Sequence, residues 1–365
     1  MNVPVFNATR QYATLHEEMM AAAARVFESG KFVLGNETLH FEESFAKYIG
    51  TAHGIAVNSG TDALKIALAA LGVGPGHEVI TVTNTAVPTV SAIRERGAIP
   101  VFVDSDDYFG MDPNKLEGKI TSNTKAIVAV HLYGQPVDIE AVMTVATRHE
   151  IPVVEDCAQT TGATYKGKTA GTFGAISCFS FYPTKNLGAY GDGGMILTSS
   201  EALAATCRKL RMYGMAKTYF ADIEGYNSRM DEVQAAVLSV KLPHLDTWNG
   251  RRREIATRYL TEIQNPLITL PKLRPDSTHV FHLFVIRTKH RDALQKHLTE
   301  AGVGFGTHYA FPIHLQKAYE FLGYKAGDLP ESEHAAQEVL SLPLFPELTD
   351  EEVMYVIAAL NRFAA

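Results

Sequence analysis

The sequence predicts an α/β protein, a sheet with helices on both faces, followed by a smaller α+β unit. Three observations carry this expectation. Short apolar runs alternate with helical patterns from His53 to Thr198, the rhythm of a sheet covered by helices. The rhythm changes near Ser228, where helical spacing takes over and strands become sparse. The chain has 365 residues, 46% of them hydrophobic, enough for a large core and more than one compact unit.

The elements follow in order. Leu15 to Val26 carries Met19, Met20 and several alanines, and reads as a helix stopped by Ser29-Gly30. Phe41 to Tyr48 reads as a second helix, closed by Gly50. Ile55 to Val57 is a short strand, Asn58 to Asp62 a small-residue turn, and Ala63 to Leu71 an apolar helix. Glu78–Val82, Pro100–Val103, Lys125–Val130, Ile151–Val154, Ile176–Ser180 and Gly194–Thr198 read as strands. Pro88–Arg96 and Ile139–His149 read as helices between them, with a loop at Tyr133-Gly134-Gln135-Pro136. Further on, Met230–Val240 and Arg251–Ile263 are helical, Val280–Ile286 is a strand, and Arg291–Ala301, Ser332–Leu340 and Asp350–Arg362 are helices. The division falls at 1–244 and 245–365, with an N-terminal segment free to pack on the smaller part. There are no internal repeats, so a solenoid is not expected.

Bulk properties narrow the function. A net charge of −7 argues against nucleic-acid binding, which favours a positive field. The three cysteines, Cys157, Cys178 and Cys207, are odd in number and show no CxxC spacing, so neither a disulfide framework nor a zinc site is indicated. No signal peptide opens the chain and no apolar run reaches bilayer length. A soluble cytoplasmic protein without a membrane partner is expected.

Chemistry concentrates in three segments. Val153-Val154-Glu155-Asp156-Cys157-Ala158-Gln159 puts an acid at the carboxyl end of an apolar strand, where open α/β sheets bind ligands. A helix N-cap is the plainer reading of Asp156. Ser180-Phe181-Tyr182-Pro183-Thr184-Lys185-Asn186-Leu187-Gly188 places Lys185 just past a strand, among aromatic and glycine residues. A surface lysine is the default, but this setting desolvates an amine and lowers its pKa. Asn58-Ser59-Gly60-Thr61-Asp62 opens an apolar helix, and helix N-termini hold phosphate. An ordinary cap by Ser59 or Thr61 would look the same. The turn is not a P-loop. Together the three segments match the needs of pyridoxal 5′-phosphate (PLP). Lys185 supplies an amine for its aldehyde, Asp156 a carboxylate for its pyridinium nitrogen, and Gly60, Thr61 and Ser180 donors for its phosphate.

These motifs, in this order, resemble those of the DegT/StrS nucleotide-sugar aminotransferases. The likeness begins at Ser29-Gly30-Lys31-Phe32 and runs on through Gly225-Tyr226-Asn227-Ser228-Arg229 to His308-Tyr309 and His314-Leu315-Gln316. The resemblance implies a fold-type I transferase, with a large domain built on a mixed, mostly parallel sheet and a small α+β C-terminal domain. It implies that Lys185 carries PLP as a Schiff base and shuttles a proton, and that Gln159 lies near the ring's phenolic oxygen. It also implies that Asn227 reaches the phosphate in a neighbouring subunit, hence a homodimer with shared active sites. Tyr182, Arg229, His308, Tyr309 and His314 fall in segments near the substrate. Glutamate is the implied amine donor and a nucleotide-linked keto-sugar the acceptor. The stretch around Lys185, and Gln159 where many C4-acting members have His, favour C3 of a dTDP-3-keto-6-deoxyhexose. C4 amination and a UDP-3-keto sugar are the alternatives. A sugar dehydratase is disfavoured because such relatives replace the lysine with histidine. A DNA-binding regulator is disfavoured because no helix-turn-helix or basic face is evident. One departure stands out: Ala86 occupies the place where many relatives stack an aromatic residue on the cofactor ring.

Other residues invite simpler readings. His279 with His282, and His308 with His314, could be imagined as metal pairs. No carboxylates accompany them, so hydrogen-bonded or surface histidines and no metal are expected. Arg251-Arg252-Arg253 reads as a solvated helix face, and Cys157 as buried filler.

Overall fold

The computed structural model describes residues 1–365. Helix α1 (Ala8–Ser29) starts a full turn or more before the apolar pattern, because Asn7 caps it by accepting from Thr9 N–H. Helix α2 (Asn36–Ile49) follows, and both helices end on left-handed glycines, Gly30 and Gly50. Strand β1 (His53–Val57) leads into α3 (Gly60–Ala70). Then come β2 (Glu78–Val82), α4 (Val87–Glu95), β3 (Ile99–Val103), the single turn α5 (Pro113–Leu116), β4 (Thr124–Val130), α6 (Ile139–Arg148) and β5 (Val153–Asp156). A two-residue pair, β6 (Thr164–Tyr165) and β7 (Lys168–Thr169), precedes β8 (Ile176–Ser180) and β9 (Gly194–Thr198).

The main sheet has seven strands in the order β1-β9-β8-β5-β4-β2-β3. Neighbours from β8 through β5, β4 and β2 to β3 are parallel, while β9 runs antiparallel to both β8 and β1. The sheet is therefore mixed and mostly parallel. Helix α7 (Glu201–Leu210) was not anticipated from the sequence. Its signal is Ser200, whose side chain accepts from Leu203 N–H, with Glu201 in the first turn and Arg208 and Lys209 in the last. Next come an exposed hairpin, β10 (Met215–Lys217) and β11 (Phe220–Ala221), and α8 (Glu232–Lys241).

Helix α9 (Leu245–Glu262) begins a turn and a half before the expected Arg251. Arg252 within it is buried, not solvated, and its guanidinium donates to the carbonyls of Phe281 and Leu344. The expected strand 280–286 shortens to β12 (Phe284–Arg287). Val280 and Leu283 instead donate their N–H groups to the carbonyls of Gly134 and Tyr133, so tertiary docking replaces a ladder. After α10 (Arg291–Glu300), helix α11 (Pro330–Glu338) stops short of Leu340. The chain becomes β13 (Val339–Leu342), antiparallel to β12. Helix α12 (Asp350–Asn361) closes the fold with a Thr349–Glu352 capping box.

Three cores hold these layers. One face of the sheet packs against α3, α4 and α6, through residues such as Leu64, Ile66, Ile93 and Val142. The other face meets α2 and α8, and there Phe45 sits edge-on to both Phe179 and Phe181 at 5.1 Å. A separate core joins Ile255, Tyr259, Phe284, Leu298 and Val356, and takes in Val3 from the N-terminus. Val3 pairs with Val303 as an isolated bridge. No helix is long and apolar enough to cross a membrane.

Candidate active site

A cavity of about 240 Å³ opens where the parallel strands end. Strand periodicity explains how β8 contributes to it. Phe179 and Phe181 point into the α2–α8 core, so Ser180 between them faces the cavity. Ser180 meets Gly60 at the start of α3, and a Cβ on Gly60 would lie 2.7 Å from the Ser180 Cβ. Ser59 caps α3 by accepting from Asp62 N–H at 3.2 Å. The helix's own ladder starts at Ala63 N–H to the Ser59 carbonyl, so the amides of Gly60 and Thr61 precede it at the positive helix end.

Asp156 is the last residue of β5 and lines the cavity, almost fully buried. It caps no helix. Its Oδ2 accepts from Thr89 Oγ1 at 2.8 Å and its Oδ1 from Ala158 N–H at 3.1 Å. Burial pushes its pKa up, against these hydrogen bonds and the charge of Lys185. Lys185 lines the same cavity. Burial lowers its pKa to about 8, with Asp156 opposing the shift. The turn that carries Lys185 is tight: its N–H donates to the Tyr182 carbonyl, and a Cβ on Gly188 would strike the Pro183 carbonyl at 2.4 Å.

Gln159 is fixed at both ends of its amide. Its Oε1 accepts from Tyr133 N–H at 2.7 Å, and its Nε2 donates to the Tyr309 hydroxyl at 3.0 Å. Burial raises the Tyr309 pKa to about 12. Tyr309 and its neighbour His308 come from the C-terminal part, and the His308 carbonyl accepts from the Tyr133 hydroxyl. His308 Nδ1 sits 2.8 Å from Ser341 Oγ, and burial and Lys185 lower its pKa.

The other sequence candidates lie at varied distance. Tyr182 stands exposed at the cavity's rim. Asn227 is exposed and lies outside its own chain's cavity. Arg229 also lies outside it, with its guanidinium over the Tyr213 ring at 5.6 Å. His314 is turned into the protein, with Nδ1 2.8 Å from Thr83 Oγ1 and Nε2 3.1 Å from Glu333 Oε1. Both ring nitrogens are engaged within the protein, which leaves neither for a substrate.

Several lining residues escaped the sequence reading: Thr85, Pro88, Thr89 and His131. Thr89 has no signature, being one hydroxyl in a helix. His131, Glu155 and Cys157 place ligand atoms within 4.8 Å of one another. Those atoms are committed to the fold. Glu155 accepts from Gly171, Phe173 and Gly174 N–H, and lies 3.0 Å from His131 Nε2. His131 Nδ1 accepts from Val137 N–H, so the imidazole proton sits on Nε2 and goes to Glu155. Cys157 is fully buried, and burial lifts its thiol pKa. His279 stacks on Phe281 at 3.9 Å and accepts from its N–H. His282 departs from expectation, being neither exposed nor hydrogen-bonded at Nδ1.

The cavity fits PLP by the chemistry of its donors. Asp156 is a buried carboxylate with no cationic partner in hydrogen-bond contact, and a pyridinium nitrogen would restore its charge. A desolvated amine, a helix N-terminus and a hydroxyl converge on the same space. Sheet, helix terminus and lysine together define a PLP-dependent enzyme. The chain belongs to the DegT/DnrJ/EryC1/StrS aminotransferase family, whose model matches residues 13–361.

Curated relatives agree along the whole chain. It is 48% identical to a pleiotropic regulatory protein of Geobacillus stearothermophilus, covering 100% of this chain and 99% of the relative. It is 44% identical to dTDP-3-amino-3,4,6-trideoxy-alpha-D-glucose transaminase of Streptomyces venezuelae, covering 99% and 96%. It is 42% identical to UDP-N-acetyl-3-dehydro-alpha-D-glucosamine 3-aminotransferase of Acidithiobacillus ferrooxidans, covering 99% and 97%. Among solved structures, S. venezuelae DesV superposes with a TM-score of 0.97 at 44% identity, covering 99% of this chain and 98% of that one. The Bacillus subtilis ntda structure, with bound cofactor PMP, gives 0.92 at 34% identity, covering 98% and 84%. The protein is a sugar aminotransferase that uses PLP.

Proposed function

We propose that this enzyme moves an amino group from glutamate to C3 of a nucleotide-linked 3-keto sugar, with a dTDP-3-keto-6-deoxyhexose as the favoured acceptor. The observation that carries the catalytic part is Lys185 beside Asp156 at one cavity where α3 begins. When bound, PLP supplies an electron sink that acidifies a carbon–hydrogen bond next to its nitrogen. In this reading Lys185 holds it through Nζ, Asp156 faces its ring nitrogen, and Gln159 faces its phenolic oxygen. Gly60 and Thr61 N–H and Ser180 Oγ bind its phosphate. Lys185 Nζ then takes the proton from the donor's α-carbon and later returns one to the acceptor carbon. An amine with a pKa near 8 suits both tasks near neutral pH. We assign substrate contact to Tyr182 at the cavity's rim and to His308 and Tyr309 beside it, whereas Arg229 lies outside that cavity with its guanidinium over the Tyr213 ring. His314 is withdrawn from that set, since both its ring nitrogens are spent inside the fold.

Two relatives named for 3-amino or 3-dehydro sugars support C3 over C4; one is named for a dTDP sugar and the other for a UDP sugar. The regulatory name of a third relative is not adopted here, because a net charge of −7 gives the chain no overall positive field for nucleic acid. We assign Asn227 to the phosphate site of a second subunit, which its exposure and its distance from its own cavity permit. We place the domain boundary at 244/245, where α9 begins, and the protein in a reducing cytoplasm, in keeping with three free buried cysteines. The test is product analysis. Incubation with glutamate and either a dTDP-3-keto or a dTDP-4-keto sugar, followed by NMR, should show nitrogen at C3. Turnover of the 4-keto sugar alone would overturn the assignment.

A further inference from the structure

Ser228 lies outside the cavity, yet its hydroxyl joins both sides of the turn that opens α3. It is almost fully buried. Its Oγ accepts from Asn58 N–H at 3.1 Å and donates to Asp62 Oδ2 at 2.7 Å. The backbone around it is anchored on the end of α7. Tyr226 N–H donates to the Leu210 carbonyl at 2.7 Å, and Ser228 N–H donates to the Arg211 carbonyl at 3.0 Å. The hydroxyl is thus a fixed post against which the turn is braced.

Asp62 makes this bracing matter. Ser59, Gly60 and Thr61 line the cavity, whereas Asp62 does not. A carboxylate in the first turn suits the positive end of a bare helix. It is also a like charge to any phosphate bound at that same end. Both of its oxygens are engaged: Lys65 Nζ lies 2.6 Å from Oδ1, and Ser228 holds Oδ2. The Lys65 ammonium also meets Glu95 at 3.2 Å and lies over the Tyr226 ring at 4.8 Å. Lys65 is therefore shared between two acids, while the Ser228 proton serves Asp62 alone.

We propose that Ser228 is a positioning residue for the cofactor phosphate: it keeps the Asp62 carboxylate out of the site and braces the Asn58 amide, so that the Gly60 and Thr61 amides stay set to receive the anion. The proposal rests on that turn being the phosphate site.

The test titrates full-chain apoenzyme with PLP and with pyridoxal, which lacks the phosphate, and follows the absorbance of the bound cofactor. The ratio of the two affinities isolates what the phosphate contributes. Ser228→Ala should lower that ratio about tenfold, because a hydrogen bond to a charged group is lost. Ser228→Thr, which keeps the hydroxyl, should restore it. With Asp62→Asn already in place, Ser228→Ala should have a smaller effect, since no charge remains to be held. A ratio unchanged by Ser228→Ala, as when both ligands weaken equally, would overturn the proposal, and so would an undiminished effect beside Asp62→Asn. Should the Ala variant fail to fold, Lys65→Met decides. It removes the other partner of Asp62 and should lower the ratio in the same sense, and an unchanged ratio would again overturn the proposal. Ser180→Ala separates the two readings. A lowered ratio there with a silent Ser228 overturns this proposal alone, whereas an unchanged ratio there removes the phosphate site and the proposal with it.

Discussion

At the scale of single residues, the site is a contest between burial and compensation. Lys185 loses proton affinity to burial, so its free amine becomes available near neutrality. Uptake of PLP by apoenzyme should therefore speed up as pH rises through about 8 and level off above it, measured by stopped-flow absorbance. The sign follows because the unprotonated amine attacks the aldehyde. Asp156 faces the opposite problem: burial pushes its pKa up, and the Thr89 hydroxyl and Ala158 amide hold it down. Thr89→Val removes one of these bonds, which is worth about 1.5–3 kcal/mol to a charged group. The variant should bind PLP roughly tenfold more weakly or worse, with the loss growing as pH falls, because the carboxylate protonates earlier. Lys185 and Asp156 were legible in the sequence because their order and spacing form a pattern. Thr89 was not, because a lone hydroxyl becomes part of a site only through what the fold puts beside it. His314 shows the converse, a motif residue whose two nitrogens the fold consumes.

At the scale of elements, the alternation along β8 does two jobs at once. Phe179 and Phe181 anchor the strand against Phe45 and Phe41, while Ser180 faces the cavity. Phe181→Ala should cost about 3–5 kcal/mol of stability, by denaturant titration, and should also weaken cofactor binding as Ser180 loses its support. Gly60 is a close approach rather than a flexible point: Gly60→Ala drives a methyl into Ser180 and should lower PLP affinity with little change in the rest of the fold. Strands β2, β8 and β9 match the sequence reading end to end, since their apolar runs are bounded by turns. The segments 280–286 and 332–340 do not. Their backbone partners, Tyr133, Gly134 and each other's strands, lie far off in sequence, and local pattern carries no trace of them.

At the scale of the whole molecule, the C-terminal part is tied to the site by polar contacts rather than merely appended. Tyr309 meets Gln159, His308 meets Tyr133, and Asp104 accepts from Ser332. The order of layers and the mixed sheet were legible from rhythm and resemblance. The third core, with Val3 drawn into it, was legible only as a permitted packing of the N-terminus. The hairpin β10–β11 leaves Tyr219 95% exposed and Phe220 largely so, near the exposed Asn227. In a shared-site dimer, mixing Lys185→Ala with Asn227→Ala subunits should regenerate one intact site per hybrid and recover activity above either parent. No recovery would count against sharing.

The most direct test of the central claim is the absorbance of purified enzyme on addition of glutamate, with 2-oxoglutarate counted in the same sample. Wild-type enzyme should lose its yellow colour and release one 2-oxoglutarate per site, whereas Lys185→Ala, folded and loaded with PLP, should release essentially none. Equal release by the two proteins would contradict the assignment of Lys185 as the catalytic amine.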